Sequence, residues 1–406
     1  MTDMDARGED VRPALVEERP EELPRPLKVY PKLIFIAYLI IIGISVGGRM
    51  IGVGNFAPFI DFIAFYSAAE LTLEGNFALA YDDATLRQIQ GGYLGWEAYY
   101  APWFYPPTYM FAVFWTAFLP LTFAGALFFA LTALLFAVAV RPWITDRHDF
   151  WIVMASPVIA LNALLAQNGL LIAGLCLLAV RFLDRRPFLA GAALAAMTVK
   201  PHLGVLWPVF LLARAKWRVI GLAVALSLAL IALSAWAFGT EGWIHFFQNG
   251  LLRAREHLGE NRLPAPLSAS ILAGLTLLGA PLWIGITCHV AVAVLIAGLL
   301  VGLCRAGAPD RIVLAFLMSA SLFVAPHSFT YDWALVLAGS LIAWKEARRT
   351  GFLPYEVPLL AVGHFAPIVI HLAKHLELPV APVLLICPVI AIWRRARHMA
   401  NHAAKA

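Results

Sequence analysis

Apolar residues in this chain come in long unbroken blocks, not in alternating or 3.6-periodic stripes. Blocks of this kind mark helices that meet hydrocarbon all round, whereas a membrane β-barrel would show short alternating segments. The first block is 32–51, KLIFIAYLIIIGISVGGRMI. Later ones fall at about 107–119, 121–140, 219–238, 283–304, 311–325, 328–344, 354–373 and 379–393. Between them lie tight apolar pairs broken at the tip by polar residues, AQNG at 166–169 and VKPH at 199–202. Arg186 to Arg214 holds two half-length helices that start and end on one side. A helix of about 13 residues rises only about 20 Å. That is short of the roughly 30 Å hydrocarbon core, so the tips are expected to end in a water-filled cavity. Residues 268–281 are also too short to cross and predict a re-entrant or interfacial helix. The pattern predicts an all-α polytopic membrane protein with about 11–13 spans. The stretch 107–140 stays open, because the Pro120 break suggests two crossings and the charge alternation asks for an odd number.

Composition supports this class. The 406 residues are 61% hydrophobic and 14% charged, against roughly 25% charged in a soluble domain. Mean hydropathy is +0.78. Aromatic residues at 12% and 26 prolines suit broken or capped membrane helices. The net charge of +5 resides in short loops, which reads as a topology signal and not as nucleic-acid binding. Basic loops at 141–149, 181–187, 213–218, 344–349 and 393–398 should be cytoplasmic, as should both termini. The long stretch 54–106 has Arg87 as its single basic residue and should lie outside, with 326–332 and 374–377. Cys176, Cys288, Cys304 and Cys387 show no metal spacing and read as apolar packing residues. The expected organisation is a disordered cytoplasmic tail at 1–31, one transmembrane domain at 32–393, and a cytoplasmic tail at 394–406. Two outer loops, 54–106 and 239–281, interrupt the domain, the first with juxtamembrane helices.

Ionisable residues at a membrane edge are costly, so those expected on the outer side are candidates for chemistry. Asp61 opens FIDFIAFYSAAELTLEG (59–75), which suits an amphipathic helix lying at the outer surface. It serves equally well as an N-terminal helix cap. Asp82 and Asp83 fit a turn or cap before ATLRQIQ, and YPPTY (105–109) fits a proline-set helix start. Lys200 sits between two apolar half-helices and favours an anion partner over snorkelling. Gln167 and Asn168 either bind a ligand or satisfy helix ends. Arg253, Arg255 and His257 form either a solvated face or a phosphate site, since guanidinium forks match phosphate oxygens. His327 by itself is more simply structural. Nucleotide-binding, zinc-protease and hydrolase-elbow motifs are absent from the sequence, as is a DxD metal motif.

An ordered series then carries a family resemblance. It runs DFIAFYSAA (61–69), LEGNFALAYD (73–82), FYPPTYMF (104–111), AQNGLL (166–171), LAAMTVKPHLGVL (194–206) with ARAKWR after it, and APHSFTYDWAL (325–335). Over roughly residues 30–345 this resembles glycosyltransferase family 87, the polyprenyl-phosphate-sugar-dependent membrane enzymes that include phosphatidylinositol-mannoside mannosyltransferases. The resemblance implies a GT-C-like helix bundle with an outer active site in a bacterial inner membrane. It implies a lipid-phosphate donor of a hexose such as mannose, and a lipid or glycan acceptor among membrane lipids. No cofactor, metal or nucleic-acid partner is expected. Asp61 takes the place of the general base, and a single displacement would invert the anomeric centre. Cations to stabilise the departing phosphate are then expected from Lys200, Arg253, Arg255 and His327. Contacts to sugar or acceptor would come from Tyr66, Tyr105, Gln167, Asn168, His202 and Asp332. A secondary transporter or lipid flippase using the same cavity remains the rival reading. It would be expected to show matching broken helices in two halves, and the long polar insertion here occurs once.

Overall fold

The structure is a computed structural model, which describes residues 25–50, 59–94, 100–250 and 265–403. Most of the tail expected at 1–31, together with Arg253, Arg255 and His257, lies outside the described residues. Among the described residues every regular element is helical. The chain is an all-α polytopic membrane protein, as its apolar blocks predict.

Helix α1 spans Arg25–Met50 and so begins seven residues before the apolar block, because a membrane helix continues into the interface past its apolar core. After it come α2 (Ile63–Leu73), α3 (Asp83–Leu94), α4 (Leu121–Val140), α5 (Arg147–Met154) and α6 (Pro157–Leu165). The half-length helices are α7 (Gly169–Phe182), α8 (Pro187–Ala196) and α9 (Leu206–Ala213). The rest are α10 (Trp217–Phe238), α11 (Ile271–Leu277), α12 (Leu282–Arg305), α13 (Asp310–Val324), α14 (Ala334–Thr350), α15 (Glu356–Ala373) and α16 (Val380–Ala403).

Four described helices are long and apolar enough to cross a membrane: Leu121–Trp143, Trp217–Phe238, Leu282–Arg305 and Glu356–Leu376. A fifth span results if α5 and α6, bent by 48° across the Ser156–Pro157 break, count as one. This is fewer than the 11–13 expected. Hydropathy counts every apolar block, but α8 has 10 residues and α9 has 8, too few to traverse the bilayer. The open stretch resolves to one long helix. Residues 107–118 form three short turns that end at Pro120, and only α4 follows. Thr116 Oγ1 donates to Val113 O at 2.7 Å and Leu119 is extended ahead of the proline, which halts the helix there. The expected span at 328–344 starts only at Ala334, because Thr330–Trp333 is a separate 3₁₀ turn. The expected tail at 394–406 is instead the end of α16 as far as Ala403.

Helix α13 is the centre of the bundle, with every residue from Ile312 to Val324 buried. It packs against α12, α14 and α16. Gly339 of α14 has no room for a side chain, since a Cβ there would sit 2.5 Å from Ala315 O. Such backbone approach is how membrane helices gain packing without a hydrophobic drive.

Ion pairs cluster among the loops that follow α4, α9, α12 and α14. One end is held by charge. Arg348 meets Asp146 at 3.0 Å and Asp149 at 3.2 Å. Asp310 accepts from Arg214 and Lys216, both at 2.9 Å. The fully buried Arg395 is paired with Glu356, which is why α16 stays helical past the expected boundary. The candidate residues collect at the other end.

Candidate active site

Phe59 leads into the site with a left-handed backbone, φ 63°, and its N–H donates to Leu164 O at 2.8 Å. Non-glycine residues adopt this conformation at a cost that surrounding structure must hold. Asp61 follows inside the 3₁₀ turn Ile60–Phe62, not at its cap position. Helix α2 was expected to lie at the surface, yet Ile63 to Ala69 and Leu71 are all buried. The segment 103–119 and α3 cover it. Phe65 is the hub, with ring centroids 5.3 Å from Tyr105, 5.1 Å from Tyr109 and 5.7 Å from Phe128. Tyr66 lies apart from the polar centre and donates its hydroxyl to Leu119 O at 2.9 Å. The acidic pair acts locally. Asp82 accepts from Thr85 N at 2.8 Å at the start of α3, and Asp83 accepts from Tyr100 Oη at 2.6 Å.

The 166–169 tip meets Asp61 directly. Ala166 is left-handed at φ 47°, which turns the chain between α6 and α7. Gln167 Nε2 then donates to Asp61 Oδ2 at 3.3 Å. Gly169 packs against the 326–333 loop so closely that a Cβ would lie 2.0 Å from Tyr331 O. Asn162 Nδ2 donates to the same carbonyl at 3.1 Å. We expect Gly169→Ala to force this loop off the tip and to lower activity at least tenfold. The check is kcat alongside a thermal midpoint, and an unchanged kcat would refute the contact.

Lys200 is 3% exposed and Asp332 is 1% exposed. Lys200 Nζ lies 2.6 Å from Asp332 Oδ1, 3.5 Å from Asn168 Oδ1 and 4.7 Å from the centre of the Tyr331 ring. The other Asp332 oxygen accepts from Phe329 N at 3.0 Å. Lys200 therefore has an anion partner, and this chain supplies it. His202 and His327 pack ring to ring at 4.2 Å. Buried His202 Nε2 and Asn168 Nδ2 have no hydrogen-bond partner among the described residues. Buried polar groups ordinarily find partners, so these two are open to a ligand.

Burial, followed by the Lys200 ammonium, pushes His327 down to about 4. His327 is thus neutral at pH 7 and offers an anion a hydrogen bond instead of the charge expected from sequence. The free histidine titrates near 6.5. Between that value and about 4 the unfolded chain holds the extra proton, so His327 subtracts stability as pH falls through this window. Thermal midpoints of His327→Gln should fall less over that window than those of the parent. Equal slopes would remove His327 as the cause.

Tyr105 links the two carboxylates. Burial, and after it the Asp332 charge, raises its phenol, with Asp61 adding to the effect. The structure thus gathers Asp61, Tyr105, Gln167, Asn168, Lys200, His202, His327 and Asp332 at one end. One contributor was missed by sequence reasoning. Asn162 acts through its hydrogen bond to Tyr331 O, and Tyr331, one of the polar residues expected on the outer side, also lays its ring 4.7 Å from Lys200 Nζ. Among the described residues no group of three or more His, Cys, Asp or Glu side chains could hold a metal ion.

Fold and site define a polytopic helical membrane protein with a buried polar centre at one end of its bundle. The model of glycosyltransferase family 87 matches residues 103–326, and the chain belongs to that family as a membrane glycosyltransferase. The match includes Tyr105, Gln167, Asn168, Lys200 and His202; Asp61, His327 and Asp332 lie outside it and join through geometry. No curated protein and no solved structure matches the chain.

Proposed function

We propose that this enzyme moves a hexose, with mannose the first to test, from a polyprenyl phosphate to a lipid or glycan acceptor. The acceptor hydroxyl attacks the anomeric carbon as the bond to the phosphate oxygen breaks. Asp61 takes the hydroxyl proton and later releases it to water, and polyprenyl phosphate leaves with both bond electrons. One displacement inverts the anomeric centre. The observation that carries this reading is the Gln167–Asp61 contact, which aims a carboxylate into the cluster holding Lys200, Asn168 and His202. Lys200 would part from Asp332 to meet the leaving phosphate, helped by hydrogen bonds from Asn168 and His202, and by Arg253 and Arg255 from their loop. Tyr105 and Asp332 would face the sugar or acceptor.

The sidedness proposal rests on charge. Arginines gather at the opposite end of the bundle, and basic loops favour the cytoplasm. The site would then open on the periplasmic face of a bacterial inner membrane. The test supplies purified protein in vesicles with polyprenyl-phosphate mannose, glucose or galactose and a membrane-lipid extract. Product linkage is read by mass spectrometry and NMR. Transfer from one of these donors with inversion is expected. Transfer from a nucleotide sugar instead, or retention of configuration, would overturn the reading.

A further inference from the structure

A groove of about 910 Å³ runs beneath the surface at the arginine-rich end, away from the catalytic cluster. Its volume is in the upper range for ligand sites, roughly 300–1,000 Å³. One wall is α4 from Phe129 to the position after its end, Arg141; the other is α5 with the start of α6. Those twelve residues of α4 rise about 18 Å. That compares with about 15 Å for one leaflet's half of the hydrocarbon core. The lining is mostly apolar, and Leu134 (61% exposed) and Phe150 (42% exposed) are open to the bilayer. Leu170, two residues from Asn168, closes the inner end.

The polar lining residues are Arg141, Thr145, Asp146 and Arg147. Arg141 and Arg147 are exposed and have no carboxylate partner among the described residues. Asp146, which also lines the groove, does not neutralise them. One of its oxygens is paired with Arg348, and the other accepts from His148 N at 2.7 Å and Asp149 N at 3.1 Å. Two lining guanidiniums with no carboxylate partner among the described residues, beside a leaflet-long apolar trough, match one ligand chemistry: a phosphodiester headgroup carrying hydrocarbon chains.

We propose that this groove binds an anionic phospholipid of the leaflet on the arginine-rich side. Its phosphate would lie between Arg141 and Arg147, and its acyl chains between α4 and α5. Its occupant is distinct from the donor and the acceptor, and the site does not depend on the reaction assigned above.

The test is lipid binding by the intact, delipidated protein, read by native mass spectrometry and thermal shift. Probes are phosphatidylglycerol, phosphatidylcholine of the same chains, inorganic phosphate and polyprenyl phosphate. Two membrane-surface arginines contribute enough that Arg141→Gln with Arg147→Gln should weaken phosphatidylglycerol about thirty-fold. Arg185→Gln with Arg305→Gln, which removes equal charge from the same end outside the groove, should leave binding unchanged. Ala137→Trp, which fills the trough and keeps both arginines, should also abolish it. The proposal fails if phosphatidylcholine binds as well as phosphatidylglycerol, or if inorganic phosphate alone gives the full shift. It fails too if polyprenyl phosphate displaces phosphatidylglycerol, or if the control pair loses as much as the groove pair.

Discussion

If Asp61 is the base proposed above, Asp61→Asn is expected to slow sugar transfer by at least about a hundredfold and to leave the fold intact. The substitution keeps the shape and one acceptor oxygen, so the hydrogen bond from Gln167 Nε2 survives. Only the ability to take a proton is lost. A positioned base contributes typically about 10²–10⁴ in rate, so kcat should fall by at least about a hundredfold. The thermal midpoint should stay within about 2 °C, because no packing is disturbed. Asp61→Glu tests position separately: it keeps the carboxylate and shifts it by one methylene. Misplacement on the scale of 1 Å can cost about a hundredfold. The proposal predicts that both variants are slow, with Asp61→Asn the slower. Activity of Asp61→Asn within tenfold of the parent would end the assignment of Asp61 as base.

The second large effect concerns Lys200 and Asp332. Lys200→Met leaves a 1%-exposed carboxylate whose remaining hydrogen bond among the described residues comes from Phe329 N. Asp332→Asn leaves a buried ammonium with amide and ring contacts only. Breaking one side of such a pair costs about 3–5 kcal/mol, whereas replacing both sides is often neutral. Each single variant should therefore unfold well below the parent, and the double variant should recover most of the difference. Activity should behave otherwise. If Lys200 stabilises the leaving phosphate, the double variant is stable and inactive. A double variant as unstable as the worse single one would remove the ion pair as the cause. Parent-like activity in the double variant would remove Lys200 from the reaction.

Much of the architecture is legible in the chain because hydrocarbon imposes a one-dimensional rule on it. Apolar blocks, half-length helices and polar tips at Gln167 and Lys200 follow from local composition. The local role of Asp82 follows as well, since capping spans three residues. What is not legible is set by contacts distant in sequence. Lys200 and Asp332 are 132 residues apart, and nothing around either residue says that each neutralises the other. The burial of α2 was missed because its apolar residues encircle the helix, and the cover comes from 103–119, which hydropathy had assigned partly to a span.

The Lys200–Asp332 contact has a consequence for selectivity. A cavity holding a bare ammonium would act as an ion exchanger and fill with whatever small anion the surrounding fluid contains. With its counter-charge 2.6 Å away, Lys200 is neutralised where it stands. Passing phosphate, sulfate or bicarbonate gains little by entering, because it must displace a carboxylate already in place. Under the proposed lipid-phosphate donor the phosphate would arrive differently: its hydrocarbon chain would keep it in the bilayer at a local concentration that can compete. Discrimination between soluble and membrane-borne phosphates then comes from tethering, and the protein needs no surface that recognises the chain itself.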